Sequence, residues 1–346
     1  MDLTIAALLT QDGVITGAVY ALLAMGIVLV FSITRVIFVP QGDYVAYAAL
    51  TMAAMQAGKT PGIIWLLLII SGIASLMEII SLLQEKNFGG IPKELTKYLG
   101  IPLLLVSITY FLIPIKLPIY LQAGLTLALV TCMGPLLYRV AFRPVAGASV
   151  LVLLIISVAV HLALTGFGLI IFGAEGSRTT PYSDARFNVG PLQITGQSIW
   201  VLSATIIAIA ALYLFFKYTV RGKALQATAI NRVGAQLMGI RSNEAGSQAF
   251  LLSAMIGGLS GLLIAPITTI FYDTGFLIGL KGFVAAIVGG LFSYPLAAVG
   301  ALLVGLIESF SSFWASAFKE VFVFTLILPV LLWRSLRSHH SEEDDE

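Results

Sequence analysis

Residues Val150–Phe172 read VLVLLIISVAVHLALTGFGLIIF, twenty-three positions without an Asp, Glu, Lys or Arg. A helix crosses the roughly 30 Å apolar core of a bilayer in about 20 residues, so this stretch is long enough to span one. Its one ionisable side chain is His161, with the polar Thr165 one turn on. Outward from it lie further full-length candidates at Gly13–Thr34, Gly62–Leu83, Leu117–Tyr138, Ser198–Phe216, Phe250–Thr268 and Pro295–Trp314. Shorter ones are Gln41–Ala57, Ile101–Ile115, Leu277–Phe292 and Lys319–Trp333. The expected fold is all-α, a polytopic transmembrane bundle of about 8–11 spans, some of them short or broken. Residues 1–346 form one membrane domain, because no polar stretch between spans is long enough for a soluble one.

Composition agrees. Of 346 residues, 59% are hydrophobic and 10% charged, with a mean hydropathy of +1.00. Soluble domains carry about a quarter charged residues. A soluble enzyme, a nucleic-acid binder and a disordered chain are all excluded, and lipid is the main solvent. Cys132 is the single cysteine, so the chain has no internal disulfide. Met1-Asp2-Leu3 is acidic and no base precedes Arg35, so the start does not read as a signal peptide.

The scarce charge sets the orientation. Five of the last six residues are acidic; without them, nineteen bases face twelve acids. The segment 217–249 holds Lys217, Arg221, Lys223, Arg232 and Arg241 against Glu244 alone, which makes it cytoplasmic by the positive-inside rule. Alternating from there, Arg35, Lys86, Lys93, Lys97, Arg139, Arg143, Arg334 and Arg337 also fall inside. Lys59, Lys116, Arg178, Arg186, Lys281 and Lys319 fall outside, with Lys281 at the outer rim. The N-terminus is then external and the charged tail, 334–346, cytoplasmic. A long span, a Pro- or Gly-bearing break and a short apolar segment occur twice, at 13–57 and 250–292. On this topology the copies run in opposite directions, a pattern that points to a transporter's central site.

Enzyme motifs are missing. Gly222-Lys223 lacks the first glycine and the Ser/Thr of a phosphate loop, and no metal-ligand cluster or Ser-His-Asp arrangement is readable. No catalytic residue, metal or cofactor is assigned. Ionisable groups within spans remain, each costing a few kcal/mol at the bilayer centre (about 3). Asp43, after Gln41 and Gly42, begins a short helix following Pro40; it either stabilises the first turn or faces a pathway. Glu308 must face protein or water, as a structural hydrogen bond or a pathway group. His161 is a packing histidine or a pathway group, and Glu78 lies near a span end within reach of the interface. These groups also permit a self-sufficient proton-coupled carrier or channel, with Asp43, Glu308 or His161 carrying the proton.

The segment 217–249 is long for a connection. Ala229, Arg232, Val233, Gln236 and Leu237 recur at helical spacing and Gly239 supplies a stop, predicting one short helix on the cytoplasmic face. Such a helix suits docking into a partner's groove, or its five bases anchor it to anionic lipid.

Gly222-Lys-Ala-Leu-Gln-Ala-Thr-Ala-Ile-Asn231, followed by Ala235 and Gly239-Ile240, resembles the cytoplasmic loop of branched-chain amino acid type ABC permeases, G-R-A-x-R-A-x-x-x-N/D then A-x-x-x-G-I. Four more segments agree in order. They are Gly17–Gly26, the first span; Tyr138-Arg-Val-Ala-Phe142-Arg143-Pro144, like A-Y/F-R-P-L; Lys281–Gly290, like K-A-F-x-A-x-x-x-G-G; and Gly305-Leu-Ile-Glu308, like G-x-x-E. The resemblance implies the membrane subunit of a bacterial inner-membrane uptake system, moving a branched-chain or other amino acid. It implies two cytoplasmic ATPase subunits, a second permease chain (similar or identical) and a periplasmic substrate-binding protein, besides membrane lipid and with no nucleic acid. Ala229, Asn231, Arg232, Ala235, Met238, Gly239 and Ile240 would couple to the ATPase; Gln41, Gly42, Asp43, His161 and Glu308 are candidates for the pathway. Two departures stand out. Phe38 occupies the place of the family's Asn in I-N-F/L-A-Q/H-G, and Gly62–Ile115 reads as an inserted hairpin with a polar loop at 84–100.

Overall fold

In lipid, every backbone polar group must bond within its own segment, so long apolar stretches become helices. The computed structural model describes residues 2–342, apart from Glu85, Asn87, Lys116, Pro191 and Phe292. Lys116, Phe292 and the tail acids 343–346 therefore lie outside the described residues. The helices are α1 (Leu3–Thr34), α2 (Gln41–Gln56), α3 (Ile63–Gln84), α4 (Ile91–Leu95), α5 (Ile101–Leu112), α6 (Ile119–Leu137) and α7 (Val150–Phe172). A hairpin, β1 (Arg186–Val189) with β2 (Leu192–Thr195), pairs Arg186 with Thr195 in antiparallel register. Then follow α8 (Gly196–Tyr218), α9 (Val220–Ile230), α10 (Arg232–Leu237), α11 (Ser242–Ile264), α12 (Thr274–Val288), α13 (Tyr294–Trp314), α14 (Lys319–Thr325) and α15 (Ile327–Glu342).

Nine helical stretches among the described residues are long and apolar enough to span a membrane. The polytopic bundle is as expected. Several boundaries are not. The 32-residue α1 begins ten residues before Gly13 and is about 48 Å long at 1.5 Å per residue, longer than the bilayer core. Residues 88–100, expected as part of a polar loop, are helical, and Ile91–Ile115 forms one apolar rod with a π turn at Thr96–Gly100. The inserted hairpin thus has little loop. The tail from Arg334 continues α15 to Glu342.

Helix α1 is the hub, buried from Gly13 to Ile33 against α11, α12 and α13. Its end is set by Arg35, whose φ of 61° leaves the helix and whose N–H still bonds to Phe31 O. The two short helices from the repeated pattern, α2 and α12, meet in the centre. A Cβ on Gly42 would lie 1.9 Å from Gly275 O and 2.9 Å from Gly279 Cα, so the crossing exists only because all three are glycine. A second core packs Phe38 against Tyr44, Phe142 and Phe250. The outer helices keep apolar side chains exposed (Ile170 on α7 and Ile206 on α8, 80% and 66%), where lipid would cover them.

Candidate functional site

The buried polar residues of the core bind one another across helices. Gln41, first residue of α2, donates through Nε2 to Ser253 O at 3.1 Å and accepts from the Ser253 hydroxyl. Gly26 and Gly257 make room for its amide; a Cβ on Gly26 would sit 2.5 Å from Nε2. Asp43, two residues further along α2, faces His161: Nδ1 lies 2.9 Å from both carboxylate oxygens. The imidazole stacks on Phe276, with centroids 4.6 Å apart. Two residues 118 positions apart in sequence are one unit, joining α2, α7 and α12. Tyr47 adds a second α2–α7 tie through its hydroxyl to Leu164 O at 2.7 Å.

Glu308 belongs to a different cluster. Lys281 Nζ is 2.5 Å from its Oε1 and 3.1 Å from Glu320 Oε1, and Tyr20 OH donates to its Oε2 at 2.6 Å. Lys281 is 5% exposed, not at the outer rim. Helix α12 starts at Thr274, earlier than the Leu277 read from sequence, so Lys281 sits two turns inside it. Glu78 is also interior: Arg139 Nε contacts its Oε2 and Arg143 Nη1 bonds to the same atom at 2.7 Å. It clamps α3 to the end of α6 and lines a polar basin beside α10. Each cluster satisfies a charge that would otherwise be prohibitive in lipid.

One cavity reaches this core. About 410 Å³ opens between α7 and α12, ending at Phe38 and Val39. Its walls are apolar except for His161, which Asp43 supports from behind. Among the five pathway candidates His161 lines the space, whereas Gln41, Gly42, Asp43 and Glu308 do not. Phe38 lines it where the resemblance places an asparagine.

The basic segment 217–249 is built differently. Thr219 caps α9, its hydroxyl accepting from Gly222 N at 2.9 Å, and Leu225 and Thr228 turn inward. The single helix expected across 229–237 is broken: Asn231 is extended (φ −146°, ψ 100°) and its Oδ1 accepts from Gly234 N at 2.8 Å to start α10. Asparagine is among the strongest N-caps, so this side chain competes successfully with helix continuation. Gly239, at φ 84°, closes α10 as predicted: its N–H bonds to Gln236 O and Ile240 N–H to Ala235 O, at 2.9 and 3.0 Å. Arg232 ties the helix to the body through Ala146 O at 3.3 Å.

That geometry sorts the coupling residues. Ala235 is 5% exposed and faces inward, Ala229 and Ile240 are half-buried, and Asn231 and Gly239 shape the backbone. Outward stand Ile230, Val233, Leu237 and Met238 at 85, 67, 83 and 83% exposure. Only Met238 of these was in the sequence-derived set. The signal for the other three was their spacing of three and four residues. Among the described residues no group of three His, Cys, Asp or Glu is placed to hold a metal.

Comparison with known proteins places the chain. The family model described as branched-chain amino acid transport system / permease component matches residues 9–331. The chain belongs to this family. LivH of Escherichia coli, a high-affinity branched-chain amino acid transport system permease protein, is 30% identical over 205 residues, 56% of this chain and 65% of LivH. BraD of Pseudomonas aeruginosa, described in the same words, is 24% identical over 336 residues, 93% and 92% of the two chains. A probable LivH of Methanocaldococcus jannaschii is 30% identical over 216 residues, 60% of this chain and 66% of that one. The match to LivH therefore spans just under two thirds of that protein. No solved structure matches.

As a multi-pass membrane permease, the chain has two regions that differ in what they leave unsatisfied. The core pairs its charged groups across helices and leaves Tyr44 OH and Thr51 Oγ1 without a partner, with one imidazole open to a cavity. The face of α9–α10 leaves four large apolar side chains open.

Proposed function

We propose that this permease is the membrane subunit of an ABC importer in a bacterial inner membrane, moving a small polar solute such as a branched-chain amino acid. The observation that carries the proposal is the strong exposure of Ile230 at the end of α9 and of Val233, Leu237 and Met238 on and just after α10, a short helix fixed by two caps. Exposed apolar side chains clustered like this mark a protein interface. The basic segment 217–249 that holds them lies in the cytoplasm, with the N-terminus outside and the C-terminus inside. The occupant is the groove of an ATPase subunit, one for each of two permease chains, this one and a similar or identical second. A periplasmic binding protein delivers the solute. When the ATPases close, α10 moves with them and pulls α11, to which it is joined through Ile240 and the Gln236–Ser242 hydrogen bond (2.7 Å).

In this reading the solute passes the α7–α12 cavity, where His161 offers the single polar edge in an apolar wall. Asp43 holds Nδ1, so Nε2 is the nitrogen left for the solute or water. The second permease chain closes the open side of this groove.

The test is uptake of radiolabelled leucine into proteoliposomes holding the permease with its ATPase, second permease and binding-protein subunits. Uptake should need ATP and survive collapse of the proton gradient. The buried Asp43–His161 pair is the one observation favouring the rival, a proton-coupled carrier. Uptake by the permease alone, driven by a proton gradient, would establish that rival and sink the ABC reading.

A further inference from the structure

Helix α5 and the turn before it line a second cavity, with none of the residues of the His161 groove. A crevice of about 620 Å³ lies between α5, α6 and α11. Along α6 it runs from Leu136 to Gly124, twelve residues or about 18 Å, close to half the thickness of a bilayer core. The walls there are apolar, with Ile101, Leu105, Leu127, Leu251 and Met255 prominent. At one end stand Lys97 and Arg221. Arg221 is exposed and makes no ion pair among the described residues; Lys97 lies 3.8 Å from Glu94 and 4.9 Å from the centroid of the Tyr98 ring. Glu244, the acid at that end, is held by Arg241 at 3.0 Å.

This end does not stop at the membrane edge. Lys97, Tyr98 and Glu244 are shared with a second, polar basin of about 770 Å³ between the insert and α10. Lys93, Arg143, Arg232 and Arg241 line it together with the acids Glu78 and Glu94, so that with Lys97 and Glu244 five bases face three acids, and Gln236 of α10 and Gly239 just after it form part of its wall. The shape is amphipathic along its length: an apolar slot one leaflet deep, then a basic bowl beside the coupling segment.

We propose that this crevice binds an anionic phospholipid, an acyl chain lying along α6 and the phosphate held at the Lys97–Arg221 end. Charge and geometry both select that occupant. An apolar slot open to lipid must be filled by hydrocarbon, and two bases at its mouth attract an anionic headgroup over a zwitterionic one. A basic patch alone would attract lipid anywhere along the segment; here the insert supplies one wall and one of the two bases. The lipid would touch the basin against which α10 rests and so stiffen the coupling segment. Its placement in the cytoplasmic leaflet rests on the orientation proposed above; the existence of the site does not.

Cys132 makes the test direct, being the chain's single cysteine and part of the slot's wall. The full chain is placed in nanodiscs of phosphatidylcholine, with or without phosphatidylglycerol, and the rate of Cys132 alkylation by N-ethylmaleimide is measured. Phosphatidylglycerol should slow labelling several-fold, and native mass spectrometry should show it retained. Each base neutralised near an anionic leaflet weakens attraction about fivefold, so Lys97→Gln with Arg221→Gln should abolish both effects. Lys217→Gln with Lys223→Gln, bases of the same segment outside the crevice, should leave both unchanged. Equal labelling in the two lipids, or protection that survives loss of Lys97 and Arg221, overturns the proposal. So does protection by inorganic phosphate in pure phosphatidylcholine, which would assign the bases to a soluble anion. Because neither readout involves transport, a failed importer reading would leave this result standing.

Discussion

The Lys281 cluster in the core and the α9–α10 face at the membrane edge are opposite answers to one constraint. Lys281, Glu308, Glu320 and Tyr20 spend their charge on one another, holding α1, α12, α13 and α14 together. Ile230, Val233, Leu237 and Met238 instead present apolar side chains that stay strongly exposed. In a membrane protein a buried charge draws attention first, because it is expensive. Here the expensive groups are paired within the fold, and the inexpensive apolar surface is the one that the fold leaves uncovered.

The sharpest way to break this contrast is Lys281→Met. It leaves Glu308 and Glu320 facing each other without a cation, and losing one partner of a buried ion cluster costs about 3–5 kcal/mol. The variant should lose most of its folded yield, measured by thermal unfolding in detergent. Adding Glu308→Gln should restore part of it, since one uncompensated charge is removed. A stable Lys281→Met permease that fails to transport would move this cluster from structure to mechanism.

Next in size is Leu237→Asp. Leu237 is 83% exposed, so folding should change by no more than about 0.5 kcal/mol. Docking should suffer far more, because a central apolar contact at a protein interface is worth about 2 kcal/mol or more. Co-purification with the ATPase should fall at least tenfold while unfolding temperature holds. Val233→Asp should behave alike. Ala235→Glu is the poorer probe, because Ala235 is buried and the charge would disrupt α10 itself.

Asp43→Asn tests the core pair that backs the α7–α12 cavity. The amide can still accept from His161 Nδ1, so the expected loss is about 1–3 kcal/mol, the range for weakening a buried hydrogen bond to a charged group. Leucine uptake should fall further than stability does, and His161→Gln should fall with it. If both variants keep full uptake, the α7–α12 cavity is not the route.

What the sequence made legible follows the same division. Span number and the polytopic fold were readable because they depend on local hydropathy, and the family was readable from a run of motif residues. The partner of each buried charge was not: His161 and Asp43 are 118 positions apart, and nothing local in either stretch points to the other. Lys281 was misplaced by a helix start read three residues late, enough to turn an interior cation into a rim one. The docking face was hidden by a single residue. Asn231 breaks the 229–237 periodicity and turns Ala235 inward, so the small residues that carry the family motif shape the helix while the large ones beside them are exposed.

That distinction yields the mildest variant. Gly239 sits at φ 84°, where a Cβ costs about 1–2 kcal/mol, and a Cβ there would meet no neighbouring atom within 4 Å. Gly239→Ala therefore tests backbone conformation without adding a clash. If Gly239 serves only to end α10, alanine should loosen the Ile240–Ala235 hydrogen bond and lower ATPase association about threefold, the effect of some 0.6 kcal/mol reaching the interface. Gly239→Asn, which tolerates the left-handed region, should recover most of the association. If instead the glycine's bare surface lies against the ATPase, asparagine should be as damaging as alanine, or more so. The pair of variants separates a residue that shapes the docking helix from one that touches the partner, which is the same division that sets Ala235 apart from Leu237.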